Sequence, residues 1–313
     1  MKIESFTDFD KFSEANAGID ARFLIRDTGR RLWKTETLRA GDCILQRAHS
    51  GSGLVAEGVG SKDFYTFNVP LMDGRLISSG KAMTDDAISI NVPGAEFFAT
   101  IPKQASWQVF AVPRNLIEEK MGIARPKASF RYRVGNQKRR ADRVRTVFEE
   151  ALATVSKDPI IEGTPAMTAL ADDLKSLLIS LLELKPGQDA DHSDVIYPDI
   201  VQTEVLYRTR AFLEAHSSEA VHVSDLASAA EVSERTLRRV FRDFYGVGPR
   251  TFVFLRQLMK VHQELIEATP PETTVTDVLM HWGIWEFGRF AGRYKQYFGE
   301  LPSQTLLRPP IDY

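Results

Sequence analysis

Four arginines lie on one side of a short amphipathic segment near the C-terminal end of the chain, which runs from Ser233 to Phe244. Helical spacing turns them away from the apolar residues of the same segment. The four are Arg235, Arg238, Arg239 and Arg242. A guanidinium can pair through two hydrogen bonds with the edge of a guanine, and it also binds phosphate. The spacing therefore predicts a helix that binds nucleic acid.

The charge around this segment favours the same chemistry. Residues 235–260 contain seven basic side chains and one acid, Asp243, whereas the whole 313-residue chain has a formal net charge of −2. The alternative is a solvated helix face, but such a face usually mixes both signs. The stretch therefore predicts a local surface for phosphates on a protein that is otherwise close to neutral.

The position of each arginine along the helix predicts its role. A recognition helix that enters the major groove by its N-terminal end would aim Arg235, Arg238 and Arg239 at base edges. Arg242 lies further along the helix, so we expect it to bind phosphate.

Two copies of one helical pattern position these side chains. The first runs from Val223 to Phe241, with Ser224 and Asp225 as its predicted cap, and the second runs from Val275 to Phe290. Each consists of a short apolar helix, a tight turn and a second helix, and a long helix from Pro249 to about Ala268 separates them. The pattern predicts two helix-turn-helix units that face adjacent segments of the major groove.

These motifs resemble the DNA-binding domain of AraC/XylS-type transcriptional regulators over residues 199–308, about a third of the chain. The segments that carry the resemblance are Asp225-Leu226-Ala227, Ser233 to Phe241, Gly246 with Pro249, Gly283-Ile284-Trp285, Phe290 with Tyr294, and Phe298 to Ser303. The resemblance implies an all-α domain with two helix-turn-helix subdomains and double-stranded DNA as its partner. RNA polymerase is a candidate second partner.

Position by position, the resemblance places the base-contacting slots of the first unit on Arg235, Arg238 and Arg239. Those of the second unit fall on Phe287, Gly288, Arg289 and Gly292. Glycine stands at position 292 where arginine is common in the family, with Arg293 beside it. Arg289 and Arg293 are therefore the candidate DNA contacts of the second unit. The nearby aromatic residues Trp282, Trp285, Phe287 and Phe290 are predicted to be mostly core.

Two further departures from the family pattern concern the turn and the long helix. Glu231 stands where the first turn usually has glycine, and a non-glycine residue in the left-handed conformation costs roughly 1 kcal/mol. Gln257 stands where an arginine often occurs in the connecting helix. We expect the first turn to be reshaped around Glu231.

The N-terminal half follows a different pattern. Short β-branched or aromatic segments, divided by glycine and proline signals, make residues 20–112 β-rich and predict a sandwich or small barrel. The family resemblance implies a cupin-like barrel that senses a ligand, drives dimerisation or both. The predicted fold class is therefore α+β, with a β-rich cupin-like barrel and flanking helices followed by the all-α domain.

Six residues are candidates for a small-molecule effector site in that barrel. Phe64, Phe67 and Trp107 would provide apolar walls, and Arg47, His49 and Lys81 would provide polar ends for an acidic or hydroxylated ligand. One alternative is a constitutive DNA-binding dimer in which the barrel is only a scaffold. A metal-dependent cupin enzyme is the other, but only His49 of the six histidines precedes residue 190. We therefore predict no catalytic residues, metal or cofactor.

The helices after the barrel carry a second ambiguous pattern. Residues 141–156 form an apolar stripe, and a helix that opens at Thr164-Pro165 places leucines at near-heptad spacing. They include Leu170, Leu174, Leu177 and Leu181. The stripe predicts either packing against the barrel of the same chain or a homodimer seam.

The predicted organisation has three parts. Residues 1–184 form a sensing and dimerisation domain, with the barrel at about 20–112 and helices at 113–184. Residues 185–199 form an acidic linker, and residues 200–313 form the DNA-binding domain. A basic cluster from Arg125 to Arg145 fits a solvated surface, an auxiliary phosphate contact or docking to the acidic linker.

Composition sets the remaining expectations. The single Cys43 excludes an internal disulfide and fits a buried strand thiol better than a redox sensor. The acidic N-terminus shows no signal peptide, and no apolar run approaches the roughly 18 residues that a membrane span needs. We expect a cytoplasmic protein without a membrane partner.

Overall fold

A computed structural model describes residues 2–16, 19–71, 76–84, 87–121, 130–133, 138–157, 164–182, 194–196, 199–217, 219, 221–270 and 272–308. The chain divides into two compact units. One comprises Met1–Phe23 and Gly29–Pro198, and the other comprises Leu24–Thr28 and Asp199–Tyr313.

The first unit is built mainly of strands, with four helices. Its strands are β1 (Lys2–Phe6), β2 (Ile19–Asp27), β3 (Trp33–Ala40), β4 (Cys43–Ser50), β5 (Gly53–Gly60), β6 (Phe64–Pro70), β7 (Ile77–Ser78), β8 (Lys81–Ala82), β9 (Ala87–Asn91), β10 (Glu96–Ile101), β11 (Ala105–Pro113), β12 (Phe130–Arg133) and β13 (Asp194–Ile196). The last four residues of β2 belong to the second unit. The helices of the first unit are α1 (Phe9–Glu14), α2 (Arg114–Met121), α3 (Lys138–Lys157) and α4 (Pro165–Leu182).

The strands form two antiparallel sheets, neither of which closes into a barrel. The larger has eight strands in the order β1-β3-β4-β11-β6-β9-β12-β13, and the smaller has five in the order β2-β5-β10-β7-β8. The register of the larger sheet sets Leu38 opposite Leu45 and Phe110 opposite Phe67. The predicted β-rich part is confirmed, with two open sheets in place of a single barrel.

Both faces of the eight-stranded sheet are covered. Successive strand residues point to opposite faces, so Phe67 and Phe110 lie on one side and Asn68 and Trp107 on the other. The first side packs against α2, α3 and α4 in the main core, where Phe148 and Leu174 are among the helical contributors. The second side faces the five-stranded sheet, and the hydroxyls of Ser78 and Ser89 join the two sheets at 2.7 Å.

The second unit contains seven helices among its described residues. They are α5 (Ile200–Ala215), α6 (Val223–Ala229), α7 (Glu234–Tyr245), α8 (Pro249–Glu267), α9 (Val275–His281), α10 (Phe287–Phe298) and α11 (Pro302–Leu306). The predicted long helix corresponds to α8. The predicted β-rich first part and all-α second part are therefore both confirmed.

Some predictions fall largely outside the described residues. Of the predicted linker at 185–199, the structure describes Asp194–Ile196, which pair with Arg131, Tyr132 and Arg133 of β12 as an edge strand, and Asp199, which caps α5. Most side chains of the Arg125–Arg145 cluster lie outside the described set. Within that set, Arg145 pairs with Asp142 at 3.0 Å. No helix in the described part of the chain is both long and apolar enough to span a membrane.

Candidate nucleic-acid interface

The first helix of the first helix-turn-helix unit has its N-cap two residues before the predicted cap residue Ser224. His222 is the N-cap residue of α6, and its backbone N–H donates to the carboxylate of Asp225 at 2.9 Å. The prediction that Ser224 caps the helix is wrong, since Ser224 lies within the first turn. Asp225 keeps its predicted role because it satisfies a free N–H group at the helix start.

The turn between α6 and α7 places a charged residue in the left-handed region. Glu231 has φ 55°, and the equivalent position of the second unit is Gly283 with φ 65°. The Glu231 carboxylate pairs with Arg208 of α5 at 2.7 Å. The hydrogen bonds that Arg208 donates to Glu231 and then to Glu204 raise the pKa of Arg208. The expected reshaping of the turn is therefore wrong, because Glu231 keeps the left-handed conformation that glycine adopts in the second helix-turn-helix unit, and an ion pair to the preceding helix holds it there.

Helix α7 is fixed at both ends and along its inner face. Ser233 accepts a hydrogen bond from the backbone N–H of Thr236 at 3.2 Å, and Gly246 ends the helix with φ 67°. The residues on the buried face of α7 are Leu237, Val240, Phe241, Phe244 and Tyr245. A capped helix anchored by one apolar face presents its opposite face rigidly.

The structure places all four predicted arginines of α7 on that outer face. Arg235, Arg238, Arg239 and Arg242 are exposed. Arg238 is paired with Glu234 one turn earlier. Among the described residues, Arg235, Arg239 and Arg242 form no ion pair. Three guanidiniums are therefore available to an external anion or base edge.

The second helix-turn-helix unit presents fewer side chains on its recognition helix, α10. Arg289 has a side chain that is 70% exposed, and it pairs with Glu286 at 3.0 Å. A Cβ added at Gly288 or Gly292 of α10 would meet nothing within 4 Å, so neither glycine is required by packing. Arg293 is only partly exposed, because its guanidinium stacks 3.1 Å from the ring centre of Phe254. The outer face of α10 therefore offers fewer side chains for contact with DNA than the outer face of α7 does.

The aromatic residues of the second helix-turn-helix unit differ in their burial. Phe290 is buried, as predicted, but Trp285 is 69% exposed, so its prediction as core is wrong. Trp282 is partly buried, and its indole N–H donates to Glu264 at 2.6 Å. The Gln257 side-chain amide lies near the Trp282 carbonyl oxygen at 3.5 Å. Trp285 lies just before α10, where it extends the exposed surface of that helix.

The core of the second helix-turn-helix unit contains a series of buried polar side chains that hydrogen-bond to one another. His262 is 2% exposed, bonds the Tyr294 hydroxyl and stacks on Phe298 with ring centres 3.7 Å apart. The same hydroxyl lies 2.7 Å from that of Thr305. His262 is thus a core residue that fixes α8 against α10 and α11.

The six candidate effector residues do not converge. Arg47 points to the helical side of the sheet, where it pairs with Glu36 and, at 2.6 Å, with Glu149 of α3. Burial would raise the pKa of Glu36, but hydrogen bonds from Arg47 and then Lys34 outweigh it and lower the value. Arg47 therefore joins strands to a helix.

The other candidates are also dispersed. His49 contacts the Ser106 hydroxyl at 2.9 Å, and burial, then the charge of Lys34, lower its pKa. Phe67 lies in the main core on the helical side, Phe64 is half-buried, and Lys81 is exposed on β8. Only Trp107 borders the cavity that the two sheets enclose.

That cavity has a volume of about 60 Å³ and a mixed lining. Its polar members are Asn16, Gln46, Asn68, Ser78, Ser89 and Asn91. Asn91 is 6% exposed, and its side chain makes no hydrogen bond to the described residues. Sequence reasoning missed this group, although amides such as Asn68 and Asn91 within otherwise apolar strands are a signal that could have located it.

The single thiol, Cys43, lies in the N-terminal unit, for which the sequence also predicts no metal site. Cys43 is fully buried and unpaired, as expected, and burial raises its pKa to about 11. A thiol in this state is a poor nucleophile. The described residues contain no group of three or more metal-binding side chains.

The comparisons with known proteins concern the C-terminal unit. The chain matches the family described as a helix-turn-helix domain over residues 226–308. It is 35% identical over 114 residues to the Probable thc operon regulatory protein of Rhodococcus erythropolis, covering 36% of this chain and 33% of the relative. It is 32% identical over 101 residues to the XylDLEGF operon transcriptional activator 3 of Pseudomonas putida, covering 32% and 30%. The chain spans about a third of the length of these curated relatives.

Solved structures give further matches. A probable AraC family transcriptional regulator from Rhodopseudomonas palustris CGA009 is 30% identical, covering 34% of this chain and 97% of that one, with a TM-score of 0.31. The AraC-like transcriptional activator CuxR is 12% identical, covering 84% and 96%, with a TM-score of 0.42.

Two helix-turn-helix units joined by one long helix, with exposed arginines on the first recognition helix, define a DNA-binding domain. The sequence matches specify the type. Residues 226–308 of this chain form a helix-turn-helix domain of the AraC type. Its named relatives are regulators of transcription, not enzymes.

Proposed function

We propose that this protein is a sequence-specific transcriptional regulator that reads two adjacent major-groove segments, with the first unit as the main reader. The outer face of α7 carries the proposal, because Arg235 and Arg239 are exposed there and form no ion pair among the described residues. Free guanidiniums at the start of a recognition helix suit guanine edges. The contrast with α10, where Gly288 and Gly292 offer no side chain, supports a lesser reading role for the second unit.

The test is selection of a binding site from a random DNA pool, followed by titration on that site and on a scrambled version. Specific binders typically prefer their site by a factor of about 10³ or more. Equal affinity for the two DNAs would remove the proposed function. A role in transcription, contact with RNA polymerase and a cytoplasmic location follow from the proposal as further predictions.

Effector sensing is the second part of the proposal, and the polar cavity between the sheets supports it. Its lining side chains are neutral, so the suitable ligand is an uncharged molecule with hydrogen-bonding groups, not the acid that Arg47 and Lys81 would favour. About 60 Å³ is room for a few water molecules, whereas drug-sized ligands occupy roughly 300–1,000 Å³. The ligand must therefore be very small, or the sheets must separate to admit it.

We expect thermal unfolding of the full chain to shift upward with a small neutral amide or alcohol and not with the matching carboxylic acid. Binding to the folded state alone stabilises by RT ln(1 + [L]/Kd), about 2.7 kcal/mol at a hundredfold excess over Kd. Asn91→Leu should abolish the shift because it removes an amide and fills the space, whereas Lys81→Gln should preserve it. If every stabilising compound left DNA affinity unchanged, the scaffold alternative would replace sensing.

A homodimer through α4 is the third part, and its support is narrower than the leucine spacing suggests. Leu174 and Leu178 are buried in the core of their own chain. Leu170 and Leu177 pack against that core but remain partly exposed. These two residues, seven positions apart on one helix, could contribute to a seam with a second copy.

We expect Leu177→Glu to convert a dimer to monomers in sedimentation velocity, because a carboxylate in an apolar seam loses its hydration. Ser176→Glu, an equal charge change at an exposed neighbour, should leave the mass unchanged. Circular dichroism checks that both variants fold. A folded Leu177→Glu protein with the mass of the parent would exclude this seam.

A further inference from the structure

A cleft of about 780 Å³ lies inside the C-terminal unit, between its two helix-turn-helix halves. The start of α6 borders it on one side and α10 on the other, while the N-terminal half of α8 contributes residues from Arg250 to Gln257. Its apolar lining includes Val253, Ile284 and Phe290. The cleft is thus bounded by both halves of the DNA-binding domain.

Three arginines from two helices supply the charge of this cleft. Arg250 comes from α8, and Arg289 and Arg293 come from α10. The single acid in the lining is Glu286, which pairs with Arg289 at 3.0 Å. Arg250 is exposed and forms no ion pair with the described residues. The lining therefore carries an excess of positive charge.

These cations influence one another. Burial lowers the pKa of Arg293, Tyr297 opposes that effect, and the positive charges of Arg289 and Arg250 lower the pKa further. Stacking on Phe254 holds the Arg293 guanidinium in place despite this repulsion. A bound anion would offset the repulsion and would meet a guanidinium that is already oriented.

The start of α8 adds backbone donors to the same place. The 19-residue helix begins after Gly248, which gives no side-chain cap, and Arg250 and Thr251 of its first turn both line the cleft. Gly248 has φ −77°, and a Cβ built on it would meet nothing within 4 Å. Neither backbone conformation nor packing therefore requires glycine there. Pro249, the first residue of the helix, has no N–H group, so the bare N-cap leaves the N–H groups of Arg250 and Thr251 accessible to an anion.

We propose that this cleft binds a backbone phosphodiester of DNA, at the strand that crosses between the two major-groove segments. The inference rests on the proposed function, since a duplex that engages α7 and α10 together must carry its backbone across the gap between them. Arg289 lies both on the exposed side of α10 and in the cleft lining, so the cleft adjoins the reading surface. Guanidiniums bind phosphate through paired hydrogen bonds, and the apolar walls suit deoxyribose.

This proposal separates the roles of the two arginines on α10. Arg293 is a phosphate-binding residue held by Phe254, and not a base reader. Arg250, which the helix-turn-helix pattern alone does not single out, is the second phosphate-binding residue of the cleft and comes from α8. Contacts of this kind set the register of the protein on DNA and contribute affinity without sequence preference.

The test compares Arg250→Gln and Arg293→Gln in the full chain, with Arg39→Gln as the matched control. Arg39 is exposed on β3 in the N-terminal unit, so its loss changes net charge equally and leaves the cleft intact. Binding is titrated on a selected site and on scrambled DNA over a range of salt concentrations. Thermal unfolding confirms that each variant is folded.

We expect each cleft variant to lose at least about tenfold in affinity, by the same factor on both DNAs. The slope of log K against log salt concentration should become less negative by about 0.9 for each lost phosphate contact. Arg250→Lys, which keeps the charge, should recover most of that slope, and Arg39→Gln should leave it unchanged.

Three results would overturn the inference. The first is an unchanged affinity and slope in both cleft variants while Arg239→Ala still loses selectivity, which leaves the proposed function intact. The second is a loss confined to the selected site, which would make the arginines base readers. The third is stabilisation of the free protein by inorganic phosphate that requires Arg250 while the salt slope for DNA is unchanged, which would assign the cleft to a free anion. Failure of the parent protein to prefer its selected site would instead remove the proposed function itself.

Discussion

Replacing Arg239 with alanine is expected to weaken binding to the selected DNA site by about 1–3 kcal/mol and to relax the preference at one base pair. Arg239 is exposed on the outer face of α7 and forms no ion pair among the described residues, so its guanidinium needs no release before binding. The helix beneath it is anchored by Leu237 and Phe241, which are fully buried. The truncation therefore removes a contact without disturbing the fold.

Two other arginines of the same helix provide matched controls. Arg242→Ala should lower affinity equally for selected and scrambled DNA, because its later position favours phosphate. Arg238→Ala should cost less than Arg239→Ala, since Arg238 must first part from Glu234. An equal loss on both DNAs for Arg239→Ala would identify a phosphate contact and move the reading role to another residue.

The recognition helices could be predicted closely because their signals are local. The exposed arginines and the buried apolar face of α7 follow from helical periodicity within twelve residues. The left-handed Glu231 also followed from one position of a short turn. What this local pattern did not contain was the cleft, since its lining spans residues 221–293 and depends on how α8 packs between the two halves.

The position of the ligand site could not be predicted in the same way, because the N-terminal unit packs layers on both sides of its larger sheet. Alternation along a strand separates its two faces, but both faces of the eight-stranded sheet are covered. Arg47 was a plausible cavity residue until α3 placed Glu149 beside it, about a hundred positions later in sequence. In β4, which carries Arg47, nothing in the strand itself distinguishes the helical side from the cavity side.

The leucine stripe and Trp285 show the same limit in helices. Heptad spacing on α4 predicts an apolar face, but not whether a sheet of the same chain or a second copy covers it. Leu174 and Leu178 are covered by the sheet. Trp285 follows a turn glycine in an aromatic-rich segment that favours core, yet none of the described elements of the C-terminal unit covers it, and it is exposed.

The largest effect on stability is expected from Phe241→Ala, at about 3–5 kcal/mol. The Phe241 ring is fully buried and lies 5.3 Å from the ring centres of both Tyr245 and Phe252, which stack on each other at 4.1 Å. This aromatic group joins α7 to the start of α8. Since domains are stable by only about 5–15 kcal/mol, the loss is a large part of the total.

Urea unfolding, followed by far-ultraviolet circular dichroism, measures the change. Phe287→Ala removes the same atoms from a half-buried position on α10 and should cost much less. If Phe241→Ala lowered the free energy of unfolding by less than about 1 kcal/mol, the result would contradict the packing described for the first helix-turn-helix unit.

The same variant separates two ways in which DNA binding can fail. Arg239→Ala leaves a folded domain with one contact fewer, whereas Phe241→Ala lowers the fraction of protein in which α7 is presented at all. In the second case the apparent affinity falls on every DNA by the fraction that remains folded. The salt slope of the remaining folded protein is unchanged, because each of its phosphate contacts is intact. A reduced slope in Phe241→Ala would therefore mean that the domain rearranges instead of unfolding, with α7 displaced from the backbone it normally meets.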